Sequence, residues 1–499
     1  MHGDFSRDSF DPKLNFARVL MQQGRLIVDA DWNEQSAILL HYMRTLAADL
    51  IGWHGGPDVV HESAAVSGPP AVPAVSARGP FVVALDNGKL AYNPGRYYVD
   101  GFLCEHEQLS TQDVTMWPHA ITINDDAADP ATKNFLVYLD VWQRFVCASL
   151  DPNHLSDPAL QGLDTSGRLE TVCAVRMVKA FILENDPKLA DRLQFRTLKF
   201  MVKTATGDVA TSIGTRAPAS DLELPRLIAW TNRESESGED CDDDANTGYT
   251  GLENQLYRVE VHHEGADGVT FWDGSELDPK TKDPRGAFTL KWSRDNGSIV
   301  FAATAGTTTA RLKTKWRDDS RAIRKGDLVE LITSSSETGT IVSVTSVQDD
   351  NGVITIEFAQ PEKSAFKPEE PIIIRRWDHR SRKSFPVSVN GGFLVKEQLD
   401  ENKQKTGDSI AISIEDGIFV RLSLGKDGDV RKLQAGDYWL IPARAAVGDV
   451  IWPPDPTDSS KPKAVPARYT EHHYAPIALI KGSTIVDLRR NVKGIAEPA

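Results

Sequence analysis

Cysteine is scarce. Cys104, Cys147, Cys173 and Cys241 are widely spaced, with no CxxC pair, a density far too low for a disulfide-built scaffold, so they read as buried or incidental thiols. Long hydrophobic runs are also missing. No stretch approaches the ~20 apolar residues of a membrane helix, and the opening MHGDFSRDSFDPKLN has no apolar core behind a basic start. Neither a membrane span nor a signal peptide is therefore expected, and synthesis in the cytoplasm is. Positive charge is in deficit, with 56 Lys and Arg against 71 Asp and Glu and a formal net charge of −15, which opposes binding to phosphate backbones. Nucleic acid is not an expected partner. The chain has no GxSxG elbow, no GxxxxGK[ST] loop, no GxGxxG after a strand and no recognisable Cys-His context. No catalytic residue, cofactor or metal is assigned, and the chain reads as a non-enzyme.

What is present is a globular composition, 40% hydrophobic and 8% aromatic over 499 residues, enough for two to four domains. The first 51 residues differ in texture from the rest. Ala17 to Gln22 and Arg25 to Asp29 are two short branched apolar runs around Gly24, which suits a reversal. From Ala30 the period changes: Trp32, Leu39 and Leu46 lie one heptad apart, Gln35 and Tyr42 fill the alternate positions, and Asp29 or Asp31 is placed to cap. The pattern predicts a hairpin followed by a helix to about Leu50. An isolated helix of that length is marginal in water, so its apolar stripe must dock on its own chain or on another subunit.

Residues 52–79, with Pro57, Pro69, Pro70 and Pro73, read as a linker. Residues 80–315 carry strand patterns between Asn-Gly, Pro-Gly and Asp-Gly turns and read as a β domain with long loops. Within 316–376, GDLVELIT, GTIVSVTSVQ, GVITIEFAQP and PIIIRRW predict an inserted small barrel of the SH3 or OB kind. Residues 377–499 resume the β domain. The expected fold class is mainly β: antiparallel sandwich and barrel modules behind an N-terminal hairpin and helix.

Three constellations bear on chemistry. His262-His263 and His472-His473 offer metal ligands, yet strand neighbours point to opposite faces and the HExxH spacing is absent. Asp240, Asp242, Asp243 and Asp244, with Asn246 and Glu253 beyond, resemble half of a calcium loop, but Ala245 stands where glycine is needed and Gly251 where the closing acid belongs. Tryptophan and charge cluster at strand edges: Trp142 with Arg144, Trp292 with Arg294 and Asp295, Trp377 with Arg376 and Asp378, and Trp439 near Asp437. Such clusters occur in carbohydrate sites and subunit interfaces, and also where indoles simply complete β cores.

The segment FDPKLNFARVLMQQGRLIVDADWNEQSAIL, with its core between Arg18 and Gln35, resembles an N-terminal signature of proteins encoded with phage tails and phage-tail-like contractile injection systems. YLDVWQR, DTSGRLETV, GLENQLYRVEVH, TLKWSRDNGSIVF, RRWDHR and GDYWLIPARAAVGDVIWP resemble successive blocks of one uncharacterised family from such gene clusters. The resemblance implies a structural or interaction component of a contractile particle, baseplate- or fibre-associated and extracellular after release, and it carries no active site. The expected interface comprises Trp32, Leu39, Tyr42 and Leu46, with Arg18, Gln23, Asp31, Asn33 and Glu34 giving polar register. Expected partners are other subunits of the assembly and further copies of the chain, a trimer being favoured by analogy and by the heptad seam. The alternative is a protein of the particle tip that binds or cleaves cell-surface polysaccharide.

Overall fold

A computed structural model describes residues 2–57, 79–86, 89–106, 110–111, 134–160, 165–179, 197–204, 207–214, 225–231, 248–263, 271–272, 274, 288–333, 338–359, 369–382, 384–423, 433–481 and 484–492. They fall into two compact units, each discontinuous in sequence. The first comprises Met1–Ser9, Phe145–Arg168 and Pro218–Thr470, and the second Phe10–Arg144, Leu169–Ala217 and Glu471–Ala499. Most of the linker expected at 52–79, from 58 to 78, lies outside the described residues. Its first part is a strand, His54–Pro57.

The first unit is a two-sheet sandwich carrying a barrel. One sheet runs Phe393–Leu394, Thr289–Ser293, Gln255–His263, Tyr438–Arg444, Asp449–Val450, and the other is built around Arg226–Thr231 and Ile418–Ser423. Leu227, Ala229, Val420 and Leu422 meet Tyr257, Val259, Val261, Leu290, Trp439 and Ile441 in one core. The barrel is closed and six-stranded: Val300–Ala305, Thr309–Leu312, Val353–Phe358, Thr340–Asp350, Leu328–Thr333, Pro371–Trp377. All four predicted cassette strands belong to it, and two earlier strands complete it. Alternate residues such as Phe301, Ala303, Val329, Leu331, Ile354, Ile356, Ile372 and Ile374 fill the interior, as a small barrel requires. The strands flanking the barrel pair with each other, Thr289 opposite Leu394 and Leu290 opposite Phe393, so the barrel leaves and re-enters one sheet between hydrogen-bonded neighbours.

The joint between barrel and sheet is ionic and dry. In QLYRVEVHH, Tyr257, Val259 and Val261 enter the sandwich core, while Arg258, Glu260 and His262 are buried on the opposite face. Lys291 Nζ lies 3.0 Å from Glu260 Oε1 and 2.8 Å from Glu330 Oε1. Trp377 Nε1 donates to Glu330 Oε2 at 2.8 Å, and the Lys291 ammonium sits 4.5 Å from the Trp377 ring centroid. Arg258 donates to Glu260 and stacks on Tyr438. Residues 2–8 are laced onto the same unit: His2 contacts Glu260, Gly3 exchanges two hydrogen bonds with Asn296, and Asp4 and Asp8 pair with Arg321 and Arg468. Burial alone would raise the Glu260 pKa, yet Arg258 and Lys291 hold it well below the usual carboxylate range. Glu330 is likewise lowered, by Lys291 against the effect of burial.

In the second unit, the sheet Asn491–Val492, His54–Pro57, Gly95–Val99, Phe102–His106 shares a core with the sheet Thr484–Asp487, His473–Lys481, Asn134–Val146, Arg168–Lys179. Helix α1 (Asp29–Ile51) packs here. It approaches the Asp100-Gly101 turn tightly, where a Cβ on Gly101 would stand 2.2 Å from the Arg44 carbonyl oxygen, and the Arg44 guanidinium lies 4.1 Å from the Phe102 ring centroid. Asp29 and Asp31 lie inside the first turn, favourable to the helix dipole, and Val28 occupies the N-cap position expected for one of them.

Removing Lys291 takes away the cation that two buried carboxylates share, leaving Glu260 with Arg258 and Glu330 without its ion pair. Lys291→Met should cost about 3–5 kcal/mol of first-unit stability, measured by urea denaturation.

Candidate functional site

The N-terminal segment of the second unit places apolar side chains in solvent. Among the described residues, 24 large hydrophobics are exposed, and fourteen of these fall between Leu14 and Leu50. Leu26 is 90% exposed, Ile27 76% and Trp32 73%. Such a concentration, on the order of 1,000 Å² by side-chain size, exceeds the ~300–600 Å² of the largest apolar patch on a typical monomer.

Helix geometry explains why α1 cannot hide this surface. Successive positions turn by about 100°, so Trp32, Leu39, Met43, Leu46 and Leu50 share an arc of roughly 60°, flanked by Leu40 and Tyr42. The opposite side carries Ala30, Glu34, Ala37, Arg44 and Ala48, all buried or half-buried. Mostly small and polar residues, with the buried Ile38, thus face the chain's own sheet, and the other large apolar ones face away. Of the residues expected at an interface, Trp32, Leu39, Tyr42 and Leu46 are exposed, as are Arg18, Gln23 and Asn33, while Asp31 and Glu34 are half-buried.

Ahead of the helix, the reversal forms at Gly24, with φ +72° and Arg25 N–H donating to the Gln22 carbonyl. The flanking runs carry no ladder hydrogen bonds, as suits a two-stranded ribbon with nothing packed on its apolar side chains. The segment is held to the helix instead, by Val19 N–H donating to Gln35 Oε1 at 2.9 Å and by the Phe10 ring against His41.

A second feature is a cavity of about 260 Å³ in the first unit, where two of the Trp-charge clusters converge: Trp292 and Arg294 from one, Trp377 and Asp378 from the other, joined by Glu415 and Arg382. Arg294 grips Glu415 through two nitrogens at 2.8 and 2.9 Å, and its backbone N–H donates to Asp378 Oδ2. Burial pushes the Glu415 carboxyl up to about 7, against the pull of Arg294. His379 donates through Nε2 to the Gly391 carbonyl, and burial pushes its pKa down to about 4. This assembly escapes sequence reading because Arg294 and Glu415 are 121 positions apart.

The four indoles of the clusters are buried: Trp142 is 3% exposed, Trp292 6%, Trp377 2% and Trp439 1%. Their partners are not always the sequence neighbours. Trp142 stacks on His472 at 5.0 Å and lies under Arg176, whereas Arg144 pairs with Glu170. Trp439 donates to the Val465 carbonyl. The histidine pairs divide as strand geometry dictates: His262 bonds the Asn390 carbonyl while His263 is exposed, and His472 and His473 bond different aspartates, Asp140 and Asp100. No group of three or more His, Cys, Asp or Glu among the described residues is placed to hold a metal ion. The acidic run from Asp240 to Asn246 lies outside the described residues.

Glu415 gives the first unit a pH signature. Its folded pKa lies above that of a free carboxyl, so its contribution is fully present below about pH 4.5 and is lost as the pH rises through about 7. Melting temperatures of wild type and Glu415→Gln should therefore diverge between pH 5 and 8, the wild type losing stability relative to the variant as the pH increases.

Neither the curated proteins nor the solved structures provide a match to this chain. A family model does match it, over residues 1–212 and 202–486, two stretches that each contribute to both units. The exposed N-terminal segment, the barrel and the charged cavity all lie inside the matched residues, and the chain belongs to a family of unknown function, DUF6519.

Proposed function

We propose that the protein is a structural, interaction component of a phage-tail-like contractile particle, baseplate- or fibre-associated, held there through its N-terminal segment. The observation that carries the reading is the outward stripe of α1, which the chain leaves in water while its opposite side docks at home. Covering such a stripe with another polypeptide removes apolar area from water and places Trp32 and Tyr42 as anchors. The resemblance of Arg18 to Gln35 to phage-tail signatures supplies the setting. The heptad spacing of Trp32, Leu39 and Leu46 supports self-association, for which we propose a trimer. No helix among the described residues is long and apolar enough to cross a membrane.

Polysaccharide recognition by the Trp-charge clusters would require indole faces open to a sugar ring, and all four are buried. Scaffolding is therefore preferred over carbohydrate cleavage.

The double variant Trp32→Ala, Leu39→Ala tests the reading, because both side chains are exposed and their loss should leave folding stability within roughly 0.5 kcal/mol of wild type. Particles purified from cells expressing the variant should lack it, and light scattering of the isolated wild type should give about three times the 55.0 kDa chain mass. Full retention of the variant in particles overturns the anchoring role, and a monomeric mass overturns the trimer.

A further inference from the structure

Two of the thiols read as incidental in the sequence are placed together in the second unit. Cys104 belongs to the strand Phe102–His106, the last of its sheet, and Cys173 to the strand Arg168–Lys179, the last of the other sheet. Strand alternation turns both inward. Phe102 and Cys104 share one parity and Cys173 and Val175 another, and all four join the core between the two sheets. The thiols are within hydrogen-bonding reach of each other across that core, and both are free. Cys104 is 1% exposed and Cys173 is half-buried, so a small oxidant reaches the second and not the first.

We propose that Cys104 and Cys173 form a disulfide when the protein meets an oxidising environment, stapling the terminal strands of the two sheets. With a low-molecular-weight disulfide such as oxidised glutathione as oxidant, the Cys173 thiolate attacks one glutathione sulfur and expels the other as a thiolate. The Cys104 thiolate then attacks Cys173 Sγ in the mixed disulfide and releases the second glutathione. Two cysteine thiols lose two protons and two electrons, and one glutathione disulfide becomes two thiols. The hydrogen bond to Cys173 and burial hold the Cys104 thiol well above its ordinary pKa, which makes the second step slow at neutral pH and faster in alkali. In a reducing cytoplasm the pair remains as thiols.

The site joins residues 69 positions apart in sequence, so the bond closes a long loop of the unfolded chain. The full-length protein, reduced and then incubated with oxidised glutathione at pH 8, should yield after alkylation and digestion a peptide pair linked through Cys104 and Cys173, with Cys147 alkylated. Its melting temperature should rise by roughly 5–10 °C over the reduced protein, and Cys173→Ser, at a half-buried position, should abolish the rise. Glutathione retained on Cys173 without the link, linkage through Cys147 or Cys241, or alkylation of both Cys104 and Cys173 overturns the proposal. Cys104→Ala provides the second variant, and the peptide analysis of wild type decides the question even if that variant fails to fold.

Discussion

The first unit depends on a lysine that has no water. Lys291 lies between Glu260 and Glu330, one carboxylate from the sandwich sheet and one from the barrel. Each group alone would be expensive to bury; together, with Arg258, Trp377 and the Gly339 N–H completing the hydrogen bonds, they satisfy one another. That arrangement fixes how a six-stranded barrel sits on the sheet that it interrupts. It also explains why His2 and Asn296 hold the opening residues close by, since Asn296 serves both the Gly3 carbonyl and the Arg258 guanidinium. A hydrophobic joint of equal size would bury similar area, but its contacts would be less directional. Paired charges fix the angle and register of the barrel on the sheet through hydrogen-bond geometry.

The second unit has the opposite economy. Its sheets bury Tyr97, Val99, Leu139, Val141 and Ile480 in one core, but α1 uses only Ala30, Ile38 and the shafts of mostly small or polar residues to dock. The close approach at Gly101 permits this, because backbone meets backbone and little side-chain volume is needed. Trp32, Leu39, Met43, Leu46 and Leu50 are then surplus to the chain's own packing, as are Leu26 and Ile27 ahead of them. Surplus of this kind in one run of sequence is the surface that the proposed anchoring would use.

Much of this was legible. The predicted helix from Ala30 to about Leu50 is α1 to within a residue at either end, because a heptad run bounded by Gly24 and Gly52 allows little else. The four barrel strands between 316 and 376 were visible as strand-like runs between turns, whereas the barrel's first two strands, with their small Ala303, Ala305 and Ala310, fall in the stretch 80–315 assigned to the preceding β domain. The Gly24 reversal was legible as well, but not that its two arms lack a ladder, since pairing depends on what covers the ribbon. For the candidate interface, the heptad spacing identified Trp32, Leu39 and Leu46 of the stripe and Tyr42 beside it, but not Met43 or Leu50, which continue it off the heptad positions. Their exposure is a statement about what the rest of the chain declines to cover.

Local periodicity is enough to specify the mainly β character, the long N-terminal helix and the alternation that separates Tyr257, Val259 and Val261 from Arg258, Glu260 and His262. Which face of each element meets water depends on long-range packing. In QLYRVEVHH the polar face is buried like the apolar one, since a barrel with a matching carboxylate closes over it, whereas in α1 the apolar face is exposed, since none of the described residues closes over it. Burial is a property of what approaches an element, and the approaching residues, Glu330 to Lys291 or Glu415 to Arg294, come from positions that no local pattern connects.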